Sequence, residues 1–205
     1  MKKLVLLLAM VSVFGLVSCK QGASVGTAAP QVLVLVDMQN DFIDGALGSE
    51  AAQAIVPAVV EKVKGWDGYI VATRDTHNPD YLDATLEGKL LPVAHCIKGG
   101  EGWEICPSVT AALEGKAYAG VVDKPTFGSL ELPQLIASIP GFDESFVIEL
   151  VGLDTDICVV SNALSLRMHF PNNPIEVDPA CCAGTCPERH AAALETMKSC
   201  QITVK

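Results

Sequence analysis

Four stretches of this chain run apolar without polar alternation: Val32-Leu-Val-Leu-Val36, Tyr69-Ile-Val-Ala-Thr-Arg74, Ala119-Gly-Val-Val-Asp123 and Phe146-Val-Ile-Glu-Leu-Val151. A strand with β-branched residues at successive positions has no wet face, so each run reads as a strand buried on both faces. Strands of that kind need helices on either side, and helix-like patterns lie between several of the runs. The fold class expected is therefore α/β, a three-layer α/β/α arrangement around a mostly parallel, doubly wound sheet. With right-handed crossovers the carboxyl ends of all strands lie along one edge, and ligands bind in the crevice there.

The crossovers are readable in outline. Ser49 before Glu50, then Ile55, Val59, Val60 and Val63, predicts a helix over 50–64, with Pro57 as a kink or a later start. Further helices are expected over 130–138, 156–169 and 187–199, the last opened by Pro187. Short strands are expected over 174–178 and 201–204. The longest irregular stretch, 78–110, carries His95 and Trp103 and follows directly on His77. Long loops in compact domains are usually functional.

Polar residues terminate the apolar runs. Asp37, Asp75 and Lys124 follow three of them, and after the fourth the chain breaks at Gly152 and starts a helix pattern holding Cys158. A thiol at a helix N-terminus feels the positive end of the dipole, which favours thiolate and nucleophilic chemistry. Taken singly, Asp37 reads equally as a turn residue, Lys124 as a surface charge and Cys158 as a small buried hydrophobe. What separates these readings is whether the strand ends meet.

Residues 1–18 carry a different signal. Lys2 and Lys3 precede an apolar run over 4–17 that is too short to span a bilayer, which is the pattern of an export signal. Leu16-Val-Ser-Cys19 resembles a bacterial lipobox, with Cys19 as the lipid attachment point and 19–30, rich in Gly, Ala and Ser, as a flexible tether. The alternative is a plain secretory signal cut nearby. The domain proper is then 31–205, one unit with a single core. A net charge of −10, more negative by two once Lys2 and Lys3 leave, argues against nucleic acid and against anchoring by basic residues. A membrane partner would be held through lipid alone.

Apart from Cys19 and Cys158 there remain Cys96, Cys106, Cys181, Cys182, Cys186 and Cys200, an even set whose pairing the spacing leaves open. Buried thiols with at most one bridge are expected. The Cys181-Cys182-x3-Cys186 run lacks a second ligand pair at zinc-site spacing.

Val36-Asp37-Met-Gln-Asn-Asp41-Phe42 resembles the first catalytic motif of the isochorismatase-like cysteine hydrolases, which include nicotinamidases. Lys124 with Phe127-Gly-Ser129 is similar to their lysine motif, and Gly152-Leu-Asp-Thr-Asp-Ile-Cys158-Val to their nucleophile motif. The resemblance covers about residue 31 to the C-terminus. It implies a triad in which Cys158 attacks an amide carbonyl, Asp37 carries the proton and Lys124 holds Asp37. It also implies an oxyanion hole from the N–H groups of Asp154 and Cys158, with a cis peptide between Leu153 and Asp154. Asp154 is a departure, since that position is commonly small and neutral in the family.

Asp75-Thr-His77 and Leu91-Pro-Val-Ala-His95 resemble the nicotinamidase metal motif, implying Zn²⁺, Fe²⁺ or Mn²⁺ as cofactor. The second histidine expected after His77 is absent, which leaves Glu87 or water for its place. Phe42 and Phe127 are candidates to wall a flat ring, with Trp103 in place of a missing aromatic before His95. His169 and His190 are assigned no role.

The function implied is hydrolysis of a small aromatic amide, nicotinamide first, by an exported, lipid-anchored enzyme. The alternatives are another small amide or carbamoyl compound, isochorismate, or, in a different class, a ligand-binding module with a vestigial triad. A homo-oligomer is left open.

Overall fold

The computed structural model describes residues 30–205; the expected export signal and the expected lipid attachment at Cys19 lie outside them. Strand β1 (Gln31–Val36) is followed by a short helix α1 (Asn40–Ile43) and by α2 (Glu50–Gly65). Ser49 starts α2 by accepting the Ala52 N–H through its side chain at 3.0 Å. Pro57 lies inside α2 on its exposed side, and the helix runs through it instead of restarting.

β2 (Tyr69–Asp75) leads into a loop holding α3 (Tyr81–Ala84), α4 (Leu86–Leu90), a 3₁₀ turn (Glu101–Trp103) and α5 (Pro107–Ala112). Then come β3 (Ala117–Lys124), α6 (Leu132–Ala137) and β4 (Val147–Leu153). A π-helical turn (Thr155–Val159) runs into α7 (Val160–His169), followed by β5 (Ile175–Ala183), α8 (Pro187–Ser199) and β6 (Thr203–Val204).

The six strands are parallel throughout, in the order β3-β2-β1-β4-β5-β6. Helices cover both faces, α2 packing with α5 and α7 with both α6 and α8. β1 is entirely enclosed from Val32 to Val36, as its composition requires. β3 corrects the expectation of burial on both faces. Tyr118 and Val121 are exposed, because β3 is an edge strand whose outer half extends past the covering helices. β5 runs past its expected end at Asp178 to Ala183. Its register against β4 shifts around Pro179, which cannot donate a ladder bond.

One ionic cluster ties the layers together. Glu149, buried in β4, meets Lys62 of α2 at 2.5 Å and also Lys205, while Lys62 reaches Asp178 at 2.7 Å. All seven cysteines among the described residues are free thiols, and Cys200 is exposed. None of Cys181, Cys182 or Cys186 belongs to a metal-type cluster among those residues.

Candidate active site

The strand order reverses between β1 and β4, so the loops leaving these two strands diverge and open a crevice. Gly152 permits the close approach at that point. Its φ is +125°, and a Cβ there would overlap the Val36 carbonyl oxygen. Asp37, immediately after β1, takes a left-handed φ of 48°, which aspartate tolerates better than most residues.

Strand ends from β1, β2, β3 and β4 meet here. Lys124 Nζ lies 2.6 Å from Asp37 Oδ2 and 3.5 Å from Asp75 Oδ1, and donates to Cys158 Sγ at 3.4 Å. Thr73 Oγ1 donates to the other Asp37 oxygen at 2.7 Å. Asp37, Asp75, Lys124 and Cys158 are all buried, and a lysine only 1 % exposed persists because carboxylates surround it.

Burial pushes the Asp37 carboxyl above its ordinary range, against the opposing pull of Lys124. Burial also disfavours the Lys124 ammonium, but Asp37, Cys158 and Asp75 outweigh it and hold that group well above its ordinary range. Burial and then the Asp37 charge lift the Cys158 thiol well above its ordinary value. The expectation of a thiolate favoured by a helix dipole is therefore corrected. A dipole contributes about 0.3–1 kcal/mol at a surface, whereas complete burial beside a carboxylate disfavours the thiolate more strongly than that. The resting sulfur is a thiol, and Asp37, with its raised proton affinity, is suited to take the proton.

The turn carrying Cys158 is π-helical, with the Val159 N–H reaching the Asp154 carbonyl at 3.1 Å. Among the described residues no peptide bond is cis, so the expected cis bond between Leu153 and Asp154 is corrected to trans. A non-proline cis bond costs about 3 kcal/mol, and the unusual backbone geometry is carried instead by Gly152, where glycine adopts it cheaply.

Asp75, His77, Glu87 and His95 offer ligand atoms all within 4.8 Å of one another. His77 Nε2 is 2.8 Å from Asp75 Oδ2 and 3.6 Å from Glu87 Oε1; His95 Nε2 is 3.4 Å from that Asp75 oxygen. His95 Nδ1 lies 2.8 Å from the Val93 carbonyl, a contact that suits a proton on Nδ1 and leaves Nε2 facing the carboxylates. Two imidazoles and two carboxylates fit a divalent transition metal, with Glu87 in the place left by the missing histidine. Tyr81 braces the cluster, stacking on His77 at 4.0 Å with its hydroxyl 2.8 Å from His95 Nδ1.

Asp75, Glu87 and His95 of the cluster line one cavity of about 490 Å³ together with Cys158, and Phe42, Leu91, Phe127, Asp154, Thr185 and Arg189 complete its wall. Trp103 is absent from its lining, which corrects the expectation that it contacts substrate. Its indole N–H donates to Thr76 Oγ1 at 2.8 Å and its ring lies under the Arg74 guanidinium. An aromatic with these partners braces the loop rather than the ligand.

Several supporting residues escaped the sequence reading. Gln39, wholly buried, accepts the Asp75 N–H at 2.7 Å and donates to the carbonyls of Asp75 and Trp103. Asp41 accepts the Cys96 N–H at 2.7 Å, joining α1 to the histidine loop. Asn162 donates to the Cys158 and Phe127 carbonyls and accepts the Ser129 N–H, pinning the lysine loop to the nucleophile turn. Gln39 and Asp41 lie within the first motif quoted from the sequence, which gave them no role of their own, and Asn162 was signalled only as a polar residue in the helix pattern after Cys158.

Residues 31–205 match the isochorismatase domain, and the chain belongs to that family. It is a hydrolase of that family, with a parallel sheet covered by helices on both faces. The nicotinamidase/pyrazinamidase of Mycobacterium tuberculosis (strain ATCC 25618 / H37Rv) is 28% identical over 184 residues, covering 84% of this chain and 96% of that protein. The crystal structure of nicotinamidase/pyrazinamidase from Bacillus subtilis superposes with a TM-score of 0.74 at 26% identity, covering 85% of this chain and 98% of that one. The pyrazinamidase of Pyrococcus horikoshii in complex with zinc gives 0.68 at 25% identity, over 85% and 98% of the two chains.

Proposed function

We propose that this chain hydrolyses a small aromatic amide, nicotinamide before others, to the acid and ammonia through a thioester on Cys158. The observation that carries the reading is the meeting of Asp37, Lys124 and Cys158, with Cys158 lining the same cavity as Asp75, Glu87 and His95 of the metal-type cluster. The relatives' nicotinamidase activity supports the choice of amide.

In the first half-reaction Asp37 takes the thiol proton as Cys158 Sγ bonds to the carbonyl carbon and the carbonyl π electrons move onto oxygen. The N–H groups of Asp154 and Cys158 are the donors proposed for that oxygen. When the oxyanion collapses, the C–N bond breaks and Asp37 returns its proton to the departing nitrogen, giving ammonia and a thioester. Water then attacks the thioester, Asp37 removes its proton, and the thiolate leaves to be reprotonated. Lys124 stays charged throughout, offsetting Asp37 in one step and the thiolate in the next. Phe42 and Phe127 clamp the ring. Asp75, His77, Glu87 and His95 would hold a divalent metal, which would supply a Lewis acid for a ring nitrogen of the substrate.

We assign the activity to an exported protein held at a membrane by acyl chains on Cys19. That assignment rests on the charged start, the apolar run and the Leu16-Val-Ser-Cys19 sequence.

Ammonia release from a panel of amides, with and without Zn²⁺, Fe²⁺ or Mn²⁺, tests the reaction. Turnover of nicotinamide that Cys158→Ala abolishes is the expected result. Turnover of other amides only moves the substrate. No turnover, with no alkylation of Cys158, refutes the enzyme and leaves a binding module.

A further inference from the structure

Asp154 occupies the N-cap position of the nucleophile turn, where an aspartate normally accepts an N–H from the first turn. Here its side chain makes no capping bond, and among the described residues its carboxyl has no ion-pair or hydrogen-bond partner. It lines the cavity alongside Cys158 instead. Its backbone is fixed, since the Asp154 carbonyl accepts the N–H groups of Ile157 at 3.0 Å and Val159 at 3.1 Å. The chain thus places an unneutralised carboxyl at the wall where negative charge develops.

No neighbouring cation pairs with Asp154 among the described residues. Lys124 serves Asp37 and Asp75, and His95 Nε2 faces Asp75 and Glu87. From α8, Arg189 lines the same cavity and reaches only the Thr185 hydroxyl at 3.4 Å, and His190 Nδ1 lies 2.9 Å from Thr155 Oγ1. Asp156 on the same turn and Asp37 at the end of β1 act on the Asp154 carboxyl as like charges.

We propose that Asp154 controls acylation: turnover requires its carboxyl in the neutral acid form, and the ionised form opposes the charge growing on the substrate oxygen. No proton leaves Asp154 in this scheme; its field acts on the oxyanion and on the Cys158 thiolate. Partial burial, then Asp156 and Asp37, push its pKa up to about 7, which puts the change of state in the neutral range. The inference rests on the amidase reading above.

The test is the pH dependence of kcat/KM for ammonia release by the full chain, for wild type, Asp154→Asn and Asp154→Ala, each normalised to its own value at acid pH. Neither substitution removes a hydrogen bond seen in the structure, and the alanine variant stands in if the asparagine one is insoluble. Wild type should lose about tenfold per pH unit above the pKa of a required acid, while both variants lose the limb near pH 7. The rate of Cys158 alkylation by iodoacetamide should rise in the variants relative to wild type on the alkaline side, because the thiolate loses a repelling neighbour. Wild-type turnover with the same limb kept in both variants overturns the control by Asp154 and leaves the amidase reading standing. No ammonia from wild type at any pH overturns both.

Discussion

Replacing Lys124 with methionine keeps the apolar stem and removes the one cation shared by two buried carboxylates. Asp37 loses a partner at 2.6 Å and Asp75 one at 3.5 Å, both almost fully buried. Removing one member of such a pair costs about 3–5 kcal/mol because the other charge is left uncompensated. For a domain of this size each kcal/mol is about 2–4 °C in Tm, so a fall on the order of 10 °C is expected at neutral pH. The deficit should depend on pH. With Lys124 gone, the Asp37 carboxyl, already raised by burial, moves higher still. The folded variant then holds a proton that the unfolded chain releases near pH 4. Wild type does the same up to its own raised folded pKa, so the variant's stability relative to wild type declines as pH rises from the wild-type folded pKa of Asp37 to the variant's higher one, and then levels off. Adding Asp37→Asn to Lys124→Met removes the stranded charge and should recover part of the loss. Thermal unfolding of wild type, both single variants and the double variant at pH 5 and pH 8, at fixed metal content, measures each quantity. A deficit below about 1 kcal/mol, the worth of an exposed pair, or one equal at both pH values, refutes the account of Lys124 as buried countercharge.

Metal analysis of the purified chain should find about one divalent ion. His77→Ala should lose it, and Glu87→Ala should weaken retention on the order of tenfold or more; full retention in Glu87→Ala removes that residue from the ligand set. Gly152→Ala forces a Cβ against the Val36 carbonyl at a φ of +125°, so a loss of about 2–4 kcal/mol is expected. Amide turnover should fall with it, because the displaced strand end carries Asp37; unchanged Tm and rate contradict the close approach. Intact mass of membrane-extracted protein should show acyl groups on Cys19, and Cys19→Ser should abolish membrane retention. An unmodified chain cut elsewhere counts against the anchor.

The sequence by itself determined the layers and the edge. Runs such as Val32–Val36 have no wet face, a local property that only a covered parallel sheet satisfies, and polar residues ending those runs had to share the edge at the carboxyl ends. The helix over Pro187–Ser199 was legible for the same reason: its start signal and stripe are local. What composition does not carry is distance between strands. That β1 and β4 are neighbours, bringing Asp37 and Cys158 to one lysine, follows from strand order, which depends on the packing of the whole chain. Tertiary packing also decided that β3 is an exposed edge, that Trp103 braces a loop, and that Glu87 turns toward two histidines. The protonation states belong to the same level. A helix start argues for a thiolate, but the burial that keeps Cys158 a thiol and lifts Asp154 toward neutrality arises only when remote segments close around them.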